Sequence, residues 1–194
     1  MAEPVDPIER FEALFRRAAE NAPFDPVAVT LATATADGRP SARIVLLRRV
    51  DAHGFGFFTN YDSRKGRELL GNPYAAICAY WPWLDEQARI EGRVVKADAA
   101  ESDEYFAARP RGSQVGAWAS AQSQALSSRA DLEARYHAID AQYEGRPIPR
   151  PPYWGGFRLV PDRIEFWRAG TYRLHERVLY VRESGAWRSQ TLYP

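Results

Sequence analysis

Cysteine is nearly absent: Cys78 is the one example in 194 residues, so no disulfide can form within the chain. It lies in the apolar run Tyr74-Ala75-Ala76-Ile77-Cys78-Ala79-Tyr80, where a small thiol reads as core, and this usage fits a reducing compartment. No stretch approaches the roughly 18 apolar residues of a membrane span. The opening Met1-Ala2-Glu3-Pro4-Val5-Asp6 also lacks the basic and apolar segments of a secretory leader, so a cytoplasmic protein that contacts no membrane is expected. Neither sign of charge is in excess. The 26 Lys and Arg face 25 Asp and Glu, a net +1 that argues against a general nucleic-acid binder. The three histidines, His53, His137 and His175, have no metal-ligand spacing, so no metal is expected. The chain has no G-x-G-x-x-G or G-x-x-x-x-G-K-[ST] loop, no serine nucleophile elbow and no cysteine-nucleophile signature. Any phosphate bound here must be held by side chains.

At 45% apolar and 26% charged residues, the chain suffices for one core and is short for two, so a single domain over 1–194 is expected. Ile8, Phe11, Leu14, Phe15 and Ala18 recur at helical spacing and predict an amphipathic helix over 7–21. Runs at 27–34 and 41–50, joined by Asp37-Gly38-Arg39-Pro40, read as a hairpin, and 55–59 adds a third strand to an antiparallel meander. Ser63 is a candidate N-cap for a helix to about Leu70. Strands at 74–82 and 87–96 and helices at 99–108 and 128–143 follow. After a proline-rich connector at 147–152, strand patterns recur at 155–160, 163–168, 173–182 and 186–192. Strands outnumber helices and do not alternate with them, which predicts a closed or half-closed antiparallel barrel with peripheral helices, mainly β in an α+β arrangement.

Several cationic groups stand out. A strand reading of Arg173-Leu174-His175-Glu176-Arg177 places Arg173, His175 and Arg177 on one face; a solvated strand face is the plain alternative. Tyr105 and Arg109 share a helical face, and Pro110-Arg111-Gly112-Ser113 ends that helix with a hydroxyl close by, a set able to cradle a phosphate. Ser63-Arg64-Lys65 opens a helix with basic residues, where an anionic ligand would account for them. Arg43 and Arg48 bracket an apolar strand and face opposite ways. Both can serve one site only if the strand bends or a second subunit contributes.

Together with Trp154-Gly155-Gly156-Phe157-Arg158, Glu165-Phe166-Trp167 and the run Arg109 to Trp118, these segments resemble, in order, the pyridoxine (pyridoxamine) 5′-phosphate oxidase family from about residue 27 to the C-terminus. The resemblance implies an FMN-binding split β-barrel and a homodimer with FMN at the subunit interface. It assigns FMN to Arg43, Ile44, Val45, Leu46, Leu47, Arg48, Phe58, Thr59, Arg64, Lys65, Gln87, Gln122, Ser123, Trp167 and Arg177. Arg48, Tyr105, Arg109 and Ser113 would take the substrate phosphate. Arg173, Leu174 and His175 would lie at the substrate ring, with Arg173 and His175 in the catalytic roles. The implied reaction oxidises pyridoxamine or pyridoxine 5′-phosphate to pyridoxal 5′-phosphate, with dioxygen as acceptor and hydrogen peroxide as product. Three residues depart from the family's habit: Arg48 replaces Lys, Phe58 replaces Tyr and Glu176 replaces Asp. The alternatives are a flavin oxidase of another pathway, such as phenazine biosynthesis, and a non-catalytic flavin or pyridoxal-phosphate binding protein.

Overall fold

The computed structural model describes residues 6–20 and 22–194. Asn21, the expected last helical residue, and residues 1–5, read above for a leader, lie outside the described residues. Helix α1 (Pro7–Glu20) buries Phe11, Leu14 and Ala18, three positions on one helical stripe. Phe11 is fully buried and meets Phe55 edge to face at 4.9 Å. Burial of that ring stabilises the fold by about 1.5–3 kcal/mol, which docks α1 on the barrel. No helix among the described residues is long and apolar enough to cross a membrane.

Strands β1 (Ala28–Ala34) and β2 (Pro40–Leu46) form the expected hairpin. The expected meander does not follow. After Leu46 the backbone N–H of Leu47 donates to Val27 and that of Arg48 to Gly56, so the chain leaves β2 and crosses to another part of the sheet. There β3 (Arg49–Asp51) pairs with β4 (Gly54–Asn60), and β4 pairs with β7 instead of β2. The run at 41–50 is therefore two strands. Together with β5 (Tyr74–Trp81) and β6 (Glu86–Lys96), they lie in the order β2-β1-β5-β6-β7-β4-β3. The ends of this order approach one another where β2 meets β4, which curls the antiparallel sheet into a barrel.

Strand β7 (Trp154–Arg168) runs unbroken through the two segments expected at 155–160 and 163–168. Pro161, which has no N–H to give a ladder, ordinarily argues against a central strand. Here it sits opposite Gly92, where the β6–β7 register shifts, and the irregularity accommodates it. β6 lines one edge of β7. Along the other edge β4 pairs with its first part, and β8 (Glu176–Glu183), backed by β9 (Ala186–Thr191), pairs with its last part.

Helix α2 (Arg64–Gly71) starts at Ser63, whose hydroxyl accepts from the Gly66 N–H as an N-cap should. Helices α3 (Ala99–Ala107), α4 (Arg111–Ala119) and α5 (Arg129–Gln142) gather around a second apolar cluster of Phe106, Val115, Ile148 and Trp154. Helix α4 departs from the sequence reading, which ends the helical segment at residues 110–113. Pro110 instead starts a new helix by accepting from the Ser113 and Gln114 N–H groups. The Gln114 amide donates to the carbonyls of Phe106, Ala107 and Arg109, so one side chain satisfies the end of α3 and joins the helices.

Candidate active site

A cleft of about 650 Å³ opens between the β2 end of the barrel and the helical cluster. Residues Ala42, Ile44, Leu46 and Arg48 share the exposed side of their segment, while Arg43, Val45 and Leu47 turn inward. Ile44, Leu46 and Arg48 thus line the cleft and Arg43 lies behind it, the opposite facing that alternation requires. β4 contributes Phe58 and Thr59, α2 contributes Lys65, and Tyr105, Arg109 and Ser113 come from α3, the link after it and the first turn of α4. Arg109 falls outside α3, yet it reaches the same cleft as Tyr105.

Gly156, the cross-strand partner of Phe58, leaves room for its ring: a Cβ there would lie 2.9 Å from the Phe58 ring edge. Phe58 stacks on Tyr105 at 3.9 Å and on Trp154 at 5.7 Å, with interplanar angles of 15° and 12°. The Arg109 guanidinium lies 4.7 Å from the Trp154 ring centroid. Its Nη1 is buried without a hydrogen-bond partner, and burial lowers its pKa. Lys65 donates to Thr59 Oγ1 at 3.0 Å and Gln122 Oε1 at 3.2 Å. Burial, and then the nearby Arg43 charge, push its ammonium below the usual lysine range. Among the described residues, neither Arg48, Lys65 nor Arg109 has a carboxylate within 4.0 Å. Three cations facing a cleft without a counter-charge make it an anion receptor.

Behind the cleft, Arg43 and Arg64 converge on Glu68, whose side chain is 5% exposed, at 3.2 and 2.9 Å. The Thr33 and Ser41 hydroxyls each donate to the same carboxylate at 2.5 Å. Burial alone would raise the Glu68 pKa. The hydrogen bonds from Ser41, Thr33 and Arg64, with the charge of Arg43, outweigh it and hold the group at about 2.

A separate group forms at the far end of β7. Gln87, Trp167 and Arg177 are register neighbours across β6, β7 and β8. Glu165 is buried there, accepting from Arg177 at 2.8 Å and also from Arg89. The sequence reading of Arg173, His175 and Arg177 as one strand face is corrected: β8 begins only at Glu176. Residues Thr171–Arg173 form a tight 3-10 turn in which Tyr172 and Arg173 take left-handed φ of 58° and 65°. Arg173 and Leu174 are exposed. His175 lies 4.7 Å from Trp167 ring to ring, and its Nδ1 accepts from the Gly170 N–H at 3.3 Å. A neutral His175 therefore carries its proton on Nε2. Glu176 is exposed and faces Arg168 at 3.8 Å. From Trp154 in the cleft to Trp167 in this second group, the strand covers about 40 Å at roughly 3.3 Å per residue. Within the chain, Trp167 lines a different pocket, and none of this second group lines the cleft.

A sequence model described as pyridoxamine 5′-phosphate oxidase matches residues 15–143, and another, described as pyridoxine 5′-phosphate oxidase C-terminal dimerisation region, matches residues 154–194. The chain belongs to the pyridoxamine 5′-phosphate oxidase family. A pyridoxine/pyridoxamine 5′-phosphate oxidase of Myxococcus xanthus (strain DK1622) is 59% identical over 98% of this chain and 93% of its own length. One from Anaeromyxobacter dehalogenans (strain 2CP-C) is 53% identical over 97% and 96%. Among solved structures, PhzG from Burkholderia lata 383, in complex with tetrahydrophenazine-1-carboxylic acid, superposes with a TM-score of 0.94 at 35% identity over 100% of this chain and 95% of that one. These relatives make the chain an enzyme of the family, with its split-barrel fold.

The second matched segment starts at the cleft residue Trp154 and contains Glu165, Trp167, Arg173, His175 and Arg177 of the second group. Some cleft residues of this family member are not assigned to the site by the sequence reading. Gly116, Ala117 and Ser120 line the cleft from α4 and the residue after it, a helix the pattern hides behind Pro110 and Gly112. Glu68 had a signal, since it stands one helical turn after Arg64. Ser123, assigned to FMN with Gln122, takes a φ of 69° and lies outside the cleft lining, whereas Gln122 is part of it.

Proposed function

We propose that this enzyme uses FMN to oxidise pyridoxamine 5′-phosphate and pyridoxine 5′-phosphate to pyridoxal 5′-phosphate, reducing dioxygen to hydrogen peroxide. The observation that carries the reading is Arg109, a half-buried guanidinium whose buried Nη1 has no hydrogen-bond partner, in the same cleft as Tyr105 and Ser113. Burying such a donor unpaired is costly, and a phosphate oxygen would satisfy it. A hydrophobic substrate would not.

The residues present fit FMN as well. Lys65, backed by Arg43 and Arg64, offers cationic donors for its phosphate, and the Ile44 to Leu46 stretch offers backbone and apolar surface beside them. Arg48 lines the same cleft and serves either phosphate. Bound FMN supplies the hydride acceptor for oxidation at the substrate C4′ and the route for electrons to dioxygen. The chain's own groups bind and orient. Tyr105, Arg109 and Ser113 hold the substrate phosphate. Arg173 and His175 reach the substrate ring from a second copy of the chain, because their own cleft lies at the other end of β7. The guanidinium of Arg173 stays charged at neutral pH and so acts by position and electrostatics instead of proton transfer. Gln87, Trp167 and Arg177 arrive with them and close the flavin site. Exposed Ile44 and Leu46, on a strand at the edge of the sheet order, are part of the surface that the second copy covers.

The assay is peroxide production by the purified yellow protein with the two phosphorylated vitamers and their unphosphorylated forms. Turnover of the phosphorylated pair, with kcat/KM falling at least tenfold without the phosphate, is expected. Equal turnover of phosphorylated and unphosphorylated forms would overturn the substrate assignment, as would activity confined to tetrahydrophenazine-1-carboxylic acid.

Gly170 tests the second group. A Cβ at Gly170 would lie 2.0 Å from the Leu174 carbonyl oxygen, inside the turn that presents Arg173 and His175. Gly170→Ala is expected to lower kcat about tenfold or more by displacing both side chains, while flavin stays bound and the Tm changes little because the turn is exposed. An unchanged kcat would show that the turn does not set their positions.

A further inference from the structure

Behind the cations expected at the flavin phosphate stands a carboxylate, and an anion beside an anion's seat needs a reason. Glu68 is buried, yet none of its four partners is a ligand: Thr33 and Ser41 face each other across β1 and β2, Arg43 comes from β2, and Arg64 lies one turn earlier on α2. Arg43 also donates to Thr33 Oγ1 at 2.6 Å and to the Leu31 carbonyl at 3.2 Å, so its guanidinium is fixed on several sides. Arg64 is 61% exposed, and its ion pair with Glu68 draws it toward the barrel.

We propose that Glu68 is a positioning residue for the flavin phosphate, holding the Arg43 and Arg64 guanidiniums in place before FMN arrives and tuning the charge of their cradle. This rests on the FMN reading above. Arg43, Arg64 and Lys65 bring three positive charges and Glu68 one negative, which leaves two to meet a phosphomonoester that carries nearly two negative charges at pH 7. Without the carboxylate, two guanidiniums and an ammonium would repel one another. They would also spread over many rotamers, and binding the phosphate would have to order them. A carboxylate that touches no ligand but fixes its donors lowers that cost.

A purely structural role is the competing account, since Glu68 also ties α2 to the β1–β2 hairpin. Flavin binding separates the two. FMN and riboflavin differ by the phosphate, so the ratio of their Kd values isolates it. The measurement is flavin fluorescence titration of flavin-free wild type, Glu68→Gln and Glu68→Asp, with the Tm of each. Glu68→Gln keeps the size and some hydroxyl contacts while removing the charge. We expect it to weaken FMN about tenfold or more, with riboflavin shifted by less than about threefold. Glu68→Asp, which keeps the charge but withdraws it by one methylene, should fall between, and it carries the test if Glu68→Gln does not fold. An FMN-to-riboflavin ratio that stays at the wild-type value in the folded variants, even with a lower Tm, overturns the positioning role alone. A wild type that binds riboflavin as tightly as FMN overturns the phosphate assignment and this inference with it.

Discussion

A hybrid dimer built from one Arg109→Ala chain and one Arg173→Ala chain regains about half of the wild-type kcat/KM, although either variant as a homodimer is nearly inactive. The expectation follows from β7. Arg109 lies in the cleft at the Trp154 end of that strand, and Arg173 lies beyond its Trp167 end. If each site takes its cleft from one copy and its Arg173 from the other, a hybrid pairs both lesions in one site and leaves the second intact, so roughly one site in two works. Two affinity tags and sequential purification isolate the hybrid, and peroxide production at low substrate reads it. A hybrid with only the mean activity of its parents would show that Arg109 and Arg173 act within one chain.

Arg109→Ala alone should raise KM for pyridoxamine 5′-phosphate by about a hundredfold. The loss of charge-assisted hydrogen bonding to phosphate, worth roughly 1.5–3 kcal/mol for one such bond, accounts for a change of that size. Flavin content should be unchanged, because the contacts assigned to FMN lie with Lys65, Arg43 and Arg64 on other elements. Stability should not suffer either. The guanidinium has a buried nitrogen without a partner, so truncation removes an unmet desolvation cost along with its contact to Trp154. A Tm at or above wild type, with a much higher KM, marks a group kept for its ligand. Arg109→Lys, a point charge without the planar fork, should recover only part of the affinity. A wild-type KM in Arg109→Ala would remove the phosphate from this position.

The barrel and its helices were legible because each rests on local pattern. Phe11, Leu14 and Ala18 mark one face of α1, Ser63 caps α2, and apolar and β-branched runs mark strands such as β1, β5 and β6. Misread elements lie where a tertiary partner overrides the local signal. Pro161 reads as a strand break until the register shift opposite Gly92 absorbs it. Pro110 and Gly112 read as the end of a helix until Gln114 is seen joining α3 to α4. The run at 41–50 reads as one strand until Arg48 is found bonded to Gly56.

The residue types of the site were in the sequence, because a phosphate held without a glycine loop requires arginine, lysine and hydroxyls, and the ordered motifs supply them. Alternation along the segment from Arg43 to Arg48 even determined that the two face opposite ways. Their grouping was decided only by the tertiary structure. Folding collects Arg48, Lys65 and Arg109 around one cleft, and the length of β7 keeps Trp167, Arg173 and His175 from it. Spacing along a chain fixes which side a residue faces. How far two such sides stand apart depends on long-range strand pairing, and here that pairing sets the cleft at one end of β7 and the Trp167 group at the other.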